Sequence, residues 1–554
     1  MKSFFKNYWL ISSPFWKTKS GFIAIFLLMI CTVFEFSSVG LSVYLNSWNV
    51  DFYNAIQQYD KALLIHQLII FAVIIFFMLL NSFLAYFIGQ YFTIFMRKPL
   101  TEYYVKNWLG TKSYLKDSKS YDNPEERISY DIQQLIVLSK YFFLGTIRSV
   151  SSFISFSIVL WGLSGILSFS LWGSEFKIHG YLFWIAVILG FTNMWLVFKV
   201  GSPLKQLLYN QQKYEADFRY KLSVVRNNKA SIYDNQSEKR EYLTSRRNFS
   251  SIVKNFYSVT FRQAKIDIVS TFFTQIYAIL GSILALPRYF AKELSFGQMM
   301  QVNSAFMQAI FPMLFFVYSY DNLAELRANI TRLSELKKSM DEDVKEDRLR
   351  IINPEQKELL KLNNVSITRQ VDTLLEGLSF SLFEADSLFI HGRTGLGKTS
   401  LLRVINGHSD FFLGEIIFNK FPKTLFLAQK PYFPEDDFKR AIFYPSFVNI
   451  PSDEEFEKIL DILELGCLKK FIGTKYDWRN ILSSGEQQKL RFCKIFIKKY
   501  DLVLLDEATS NVDAKSEEKI YQLLKEKHMA FITVSHNERA RKFHSKILEL
   551  QQFN

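Results

Sequence analysis

The chain has 554 residues, enough for several domains without a disulfide staple, and its cysteines (Cys31, Cys467 and Cys493) are too scattered for a disulfide framework or metal cluster. A hydrophobic content of 49% with 17% aromatics and 55 Phe excludes a disordered chain, yet a mean hydropathy of +0.04 is too low for one membrane-embedded throughout. The net charge of +14 raises the question of nucleic-acid binding, and its placement decides the answer.

Residues 361–554 hold 28 Lys+Arg against 26 Asp+Glu, so +12 of the +14 falls on residues 1–360. That part also carries six apolar runs, at 21–46, 68–95, 149–172, 180–198, 267–286 and 299–320, each near the ~20 residues a helix needs to cross ~30 Å of hydrocarbon. Basic residues cluster before the first run, between the second and third, between the fourth and fifth, and after the sixth. The alternate loops hold only Lys61, Lys177, Arg288 and Lys292, with Arg148 beside the third run. This alternation predicts six spans with both termini cytoplasmic, and assigns the charge to topology rather than to nucleic acid. Within the spans, Glu35 stands out as a costly intramembrane carboxylate and a candidate translocation residue; Asn81, Gln275, Asn303 and Gln308 add candidate polar lining, and Pro312 a candidate kink.

The long cytoplasmic loops, 97–140 and 199–266, read as amphipathic helix continuing the spans. Residues 1–335 form the predicted transmembrane domain and the charged stretch 336–360 a linker. From 361 to 554, short β-branched runs alternate with helical segments, as in a parallel α/β domain.

In that domain, an apolar strand (387–390) runs into Gly392-Arg393-Thr394-Gly395-Leu396-Gly397-Lys398-Thr399-Ser400, the phosphate-loop spacing, and a helix follows. Glycines let backbone amides approach phosphates at a helix N-terminus; Lys398 suits the β/γ-phosphates and the Thr399 hydroxyl a Mg²⁺ ion. A second apolar strand ends in Asp506-Glu507, where the aspartate can hold Mg²⁺ and the glutamate can act as general base on the attacking water.

"ILSSGEQQKLRF" (481–492), with Ser483, Gly485 and Glu486, resembles the signature of ATP-binding cassette (ABC) proteins. The resemblance implies a Q-loop at Gln429, contributing to Mg²⁺, a D-loop at Asp513 and a switch histidine at His536. It further implies that each ATP is sandwiched between two cassettes, so that one cassette per chain means a dimer, most simply a homodimer of half-transporters. Ser484 stands where the signature has its first glycine and Asn511 where the D-loop has a small residue, and 366–377 holds no aromatic to stack on adenine.

"LNSWNVDFYNAIQQYD" (45–60), "RKPLTEYYVKNWL" (97–109), "DNPEERISYDI" (122–132), "EADFRYKL" (215–222) and "LAELRANITRL" (323–333) together resemble the SbmA/BacA-like branch with a fused cassette, related to the peroxisomal acyl-CoA transporters of ABC subfamily D. That resemblance implies an exporter-type fold of six long helices joined to an α/β P-loop cassette, with Glu215, Asp217 and Arg219 in the coupling element. The function it implies is ATP-driven movement of a bulky solute, a peptide or cobalamin-like compound, with uptake favoured. Export of a lipid or acyl thioester, and a non-transporting membrane ATPase acting as regulator or sensor, are the alternatives.

Overall fold

The computed structural model describes residues 2–115, 123–171, 174–341, 350–369, 372–393, 395–407, 412–446, 448 and 450–550. The chain forms two compact units, Met1–Glu342 and Asp343–Asn554.

The first unit is helical, apart from one hairpin. An amphipathic helix α1 (Lys2–Trp16) precedes α2 (Lys19–Gln57) and α3 (Lys61–Gly110), then α4 (Ile132–Ser164), α5 (Tyr181–Gly201), α6 (Leu204–Asn227), α7 (Glu238–Phe290), α8 (Phe296–Ile310) and α9 (Tyr320–Asp341). Among the described residues, five helical segments, containing α2, α3, α4, α5 and α7, are long and apolar enough to cross a membrane. At ~1.5 Å per residue the 50 residues of α3 and 53 of α7 reach about 75–80 Å, far beyond the hydrocarbon, which accounts for the long polar loops as continuations of the same helices. The sixth apolar run is not one helix: α8 stops at Ile310 and a 3₁₀ turn covers Phe311–Leu314. Pro312 lies in that turn, where its missing amide and ring break the regular ladder.

The third apolar run differs from the sequence expectation. Its helix ends at Ser164, and Ile166–Leu171 pairs antiparallel with Ser174–His179 as strands β1 and β2. From Leu167 the order Leu167-Ser168-Phe169-Ser170-Leu171 alternates apolar and polar residues, a period of two that summed hydropathy does not register. Gly165, at φ +62°, makes the turn out of the helix. Arg148 lies within the helical segment Pro124–Ser164, one of those long and apolar enough to cross a membrane.

The second unit holds two sheets. A five-stranded parallel sheet in the order β11 (Lys546–Leu550), β6 (Ser387–Gly392), β10 (Ala530–Val534), β9 (Leu502–Asp506), β8 (Thr424–Leu427) carries the helices. A four-stranded sheet in the order β3 (Arg350–Ile352), β7 (Phe412–Phe418), β4 (Leu360–Arg369), β5 (Asp372–Leu382) pairs antiparallel except at β3–β7. All of β9 is buried, because both faces of the parallel sheet are covered: Val503 and Leu505 join Phe531, Trp478 and Phe438 on one side, Leu502 and Leu504 join Ile390, Ile532 and Val534 on the other. The residues read as linker, 336–360, include the end of α9 and the whole of β3.

Candidate nucleotide site

Three adjacent parallel strands, β6, β10 and β9, end at the same sheet edge, and each delivers a part of the site. After β6 the loop turns through Gly395 (φ +89°) and Gly397 (φ +85°) into α10 (Lys398–Ile405). At Gly397 a Cβ would lie 3.1 Å from that of Leu374, so glycine meets both the left-handed backbone and the close approach of β5. Lys398 Nζ folds back on the loop, donating to the Gly392 and Arg393 carbonyls and, at 3.2 Å, to His536 Nε2. Burial pulls the Lys398 ammonium below its ordinary pKa, against the Glu507 and Asp506 carboxylates.

Thr399 Oγ1 donates to Asp506 Oδ1 at 3.0 Å, joining the first turn of α10 to the end of β9. Burial raises the Asp506 carboxyl above the usual range; the Thr399 hydrogen bond opposes this and the Glu507 charge adds to it. Glu507 takes φ +48°, a conformation costing a non-glycine residue about 1–2 kcal/mol. That turn directs its carboxylate away from the strand: Oε2 accepts from Gln429 Nε2 at 2.7 Å, and Oε1 lies 3.6 Å from His536 Nε2. The structure thus gathers Lys398, Thr399, Gln429, Asp506, Glu507 and His536 into one cluster. Ser400 lies in the first turn of α10, and Thr394 lies outside the described residues.

Ser483, Gly485, Glu486 and Asp513 form a second group. Ser483 caps α11 (Ser484–Arg491) in a capping box with Glu486, which explains the Ser-x-x-Glu order as local helix chemistry. Ser484 is the exposed first residue of that helix, so the side chain in place of glycine meets no obstruction. At Gly485 a Cβ would come within 2.8 Å of the Asn511 carbonyl, so the glycine admits the D-loop. Three further contacts hold that loop: Gln488 Nε2 donates to Ser510 Oγ at 3.0 Å, Asn511 N donates to Gln488 Oε1 at 2.8 Å, and Lys489 Nζ lies 2.8 Å from Asp513 Oδ2. The Lys489 ammonium, and the Ser516 amide donating from the helix that Asp513 caps, hold the Asp513 carboxyl well below the usual range. Sequence reasoning missed Gln488 and Lys489, and also Arg491, whose buried guanidinium donates to the Ala428 carbonyl beside Gln429. Their only signal was their place within the signature helix.

In the membrane unit, Glu215, Asp217 and Arg219 lie on the exposed surface of α6, with Glu215 accepting from Gln211 one turn earlier. Glu35 is partly enclosed, 3.9 Å from Arg148. Asn81 donates to the Phe34 carbonyl, Asn303 bridges α8 to α7 through Ala278 and Ser282, and Gln275 is exposed. Asn303 and Gln308 line a cavity of about 310 Å³ with Asn49, Tyr53 and Ser304.

Comparison with known proteins agrees with this geometry. Residues 14–290 match the family of ABC transporter transmembrane region 2, and residues 375–510 match the ABC transporter family. An ABC transporter ATP-binding protein of Haemophilus influenzae is 31% identical over 99% of this chain and 93% of its own length. The chain belongs to the ABC transporters. The inner membrane ABC transporter ATP-binding protein YddA of Escherichia coli is 28% identical over 94% of this chain and 92% of its own. A human lysosomal cobalamin transporter of subfamily D is 25% identical over 82% and 79%. Among solved structures, a bacterial Atm1-family ABC exporter with ATP bound superposes with a TM-score of 0.73 at 14% identity over 96% of this chain and 93% of that one, which establishes the exporter-type fold. The transporter therefore unites a membrane-spanning region with a nucleotide-binding ATPase whose hydrolysis is coupled to transport. With one of each per chain it is a half-transporter, and the fold implies a dimer.

Proposed function

We propose that the protein is a homodimeric, ATP- and Mg²⁺-dependent transporter of the bacterial inner membrane, with both termini cytoplasmic, that takes up a bulky solute such as a peptide or a cobalamin-like compound. It falls on this reading in the SbmA/BacA-like branch with a fused cassette. One observation carries the energy source: Asp506 and Glu507 are both present and both engaged, the first by Thr399 and the second by Gln429. A chain driven by ion gradients alone would have no use for that pair. Cobalamin comes into the proposal from the name of the human relative.

In this reading Lys398 turns from the loop carbonyls to the β/γ-phosphates, and Arg393, Thr394, Gly395, Gly397 and Ser400 complete the cradle. Thr399 and Asp506 place two oxygens 3.0 Å apart, a donor set that fits Mg²⁺, a hard cation that takes its other ligands from phosphate and water, and Gln429 adds a further oxygen. The metal supplies charge neutralisation on the phosphates. Glu507 accepts the proton of the attacking water, and His536 orients the γ-phosphate. Ser483, Gly485, Glu486 and Asp513 contact the nucleotide held by the partner's phosphate loop. Residues 1–335 span the membrane, 336–360 link, and 361–554 bind nucleotide; Glu215, Asp217 and Arg219 transmit closure. A strain lacking the protein, assayed for uptake of labelled peptides and corrinoids with unlabelled competitors, tests the cargo. Loss of accumulation restored by wild type but not by Lys398→Ala is expected; accumulation unchanged by the deletion for both classes contradicts the proposed cargo.

A further inference from the structure

The polar side chains of the membrane unit lie in seams. On α2, Glu35, Ser38, Ser42, Asn46, Asn49 and Tyr53 recur every three or four residues, which puts them on one face. Phe22, Phe26, Met29, Val33 and Phe36 make an exposed apolar stripe on the opposite one. Helix α4 divides in the same way. Phe143, Val150, Ile154 and Trp161 are exposed and apolar, while Tyr141, Arg148, Ser152 and Ser155 fall about 180° away at ~100° per residue. The apolar stripes are the surfaces suited to lipid. The polar seams are not, and the outer part of the α2 seam, at Asn49 and Tyr53, opens into the cavity shared with α8, whose uncharged lining mixes amides and hydroxyls with Met300, Met307 and Phe311.

Arg148 brings a full charge into these seams, and its side chain is 64% exposed within a helical segment apolar enough to cross a membrane. Ile136, Met96 and Ala24 share one core with Ile11 and Phe15 of the amphipathic helix α1, a helix of the kind that suits the membrane surface on that side. Arg148 lies twelve residues beyond Ile136, ~18 Å along the helix, further than a guanidinium can snorkel back. A charge at that depth requires water or a polar partner. Glu35 meets it at one point only, Oε2 to Nε at 3.9 Å, leaving the outer nitrogens of the fork open among the described residues. Two turns earlier on α4, Lys140 donates to the Gly89 carbonyl at 2.7 Å and Thr93 Oγ1 at 2.8 Å, with no carboxylate against it among the described residues. Neither cation is met by a close, two-point carboxylate among the described residues.

We propose that these seams line the solute path and that Arg148 binds an anionic group of the solute, a carboxylate or a phosphate, with Glu35 as the internal counter-ion that holds the guanidinium when the path is empty. The inference rests on the transport reading and gives its cargo a chemical class. The uncharged amides and hydroxyls of the outer cavity take the remainder of such a solute.

Thiol labelling in vesicles tests this without turnover, so its failure is separable from failure of the transport reading, which flux measures. In full-length protein carrying Cys467→Ser, which removes the exposed native thiol, Ser152→Cys places a reporter one turn from Arg148. An anionic methanethiosulfonate should react about tenfold faster than a cationic one, after correction for their rates with free thiol. Arg148→Gln should bring that ratio near one, Arg148→Lys should retain most of it, and Ile154→Cys on the apolar face should react with neither. Millimolar tetra-alanine with a free carboxylate, its C-terminal amide, and phenyl phosphate then compete for the site. Slowing by the free acid alone assigns a carboxylate, and slowing by phenyl phosphate alone a phosphate. No reaction at Ser152→Cys, a ratio insensitive to Arg148→Gln, equal slowing by the amide, or slowing by none of the three would overturn the proposal.

Discussion

Replacing Glu507 by Gln separates the proposed roles of the two adjacent carboxylates. The change is nearly isosteric, so the turn at φ +48° and the contact with Gln429 can persist, but the group can no longer accept a proton. A positioned general base contributes roughly 10²–10⁴ in rate, so hydrolysis should fall by that factor, about 3–5 kcal/mol in activation free energy. Binding should respond in the opposite sense. The Glu507 charge helps hold Asp506 above the ordinary carboxylate range, so neutralising it lets Asp506 ionise more readily and keeps its oxygens available to Mg²⁺. The expected phenotype is ATP retained with affinity equal to or above wild type while phosphate release stops. Phosphate release and nucleotide retention after gel filtration, measured on the same detergent-solubilised sample, give both numbers. Turnover within threefold of wild type, or loss of ATP binding in parallel with hydrolysis, would refute the assignment.

Three further outcomes follow from particular contacts. If each ATP lies between two chains, Lys398→Ala and Ser483→Arg should each be inactive alone, and co-reconstitution should restore hydrolysis through mixed dimers with one intact site; no recovery on mixing argues against shared sites. His544 is packed among Phe389, Tyr521 and Phe531, and its ring nitrogens meet the Ala540 carbonyl and Thr533 hydroxyl, which favours the neutral ring; burial lowers its pKa to about 4. Only the unfolded chain takes up this proton as pH falls below 6.5, so the stabilisation is complete above 6.5 and is lost towards pH 4, at a cost of about 3 kcal/mol; His544→Gln should flatten the pH dependence of the cassette's Tm between 6.5 and 5. In the membrane unit, Arg332 clamps Asp131 with bonds of 2.7 and 2.6 Å, and Asp131 is 1% exposed. Arg332→Met should therefore destabilise by about 2–3 kcal/mol, less than a fully enclosed pair because the arginine is 42% exposed, and Asp131→Asn in the same chain should recover part of that in thermal unfolding.

The nucleotide cluster was legible because its chemistry is carried by contiguous residues. Gly392 to Ser400 sit on one strand–loop–helix junction, and Asp506-Glu507 ends an all-apolar strand, so spacing alone places them. The contacts of Gln488, Lys489 and Arg491 with groups 22 to 63 residues away were not legible, since any polar helix surface shows such residues. In the membrane unit, hydropathy gave the apolar runs but not the ends of their helices. Hydropathy does not distinguish the strand Ile166–Leu171 from helix, so the third apolar run extends past the end of its helix. The interruption at Pro312 was readable from one residue, because proline acts on the backbone wherever it sits. The pairing of Glu35 with Arg148 joins helices 113 residues apart and required the packed structure.

Vectorial flux is the most direct measure of the central claim. Purified protein in sealed vesicles, with Mg-ATP on the cassette side only, should accumulate on that side a labelled solute found by the uptake screen, at a rate that tracks phosphate release. Lys398→Ala should abolish both together. ATP hydrolysis at full rate with no movement of any solute that the cell loses the ability to take up without this protein would contradict the account.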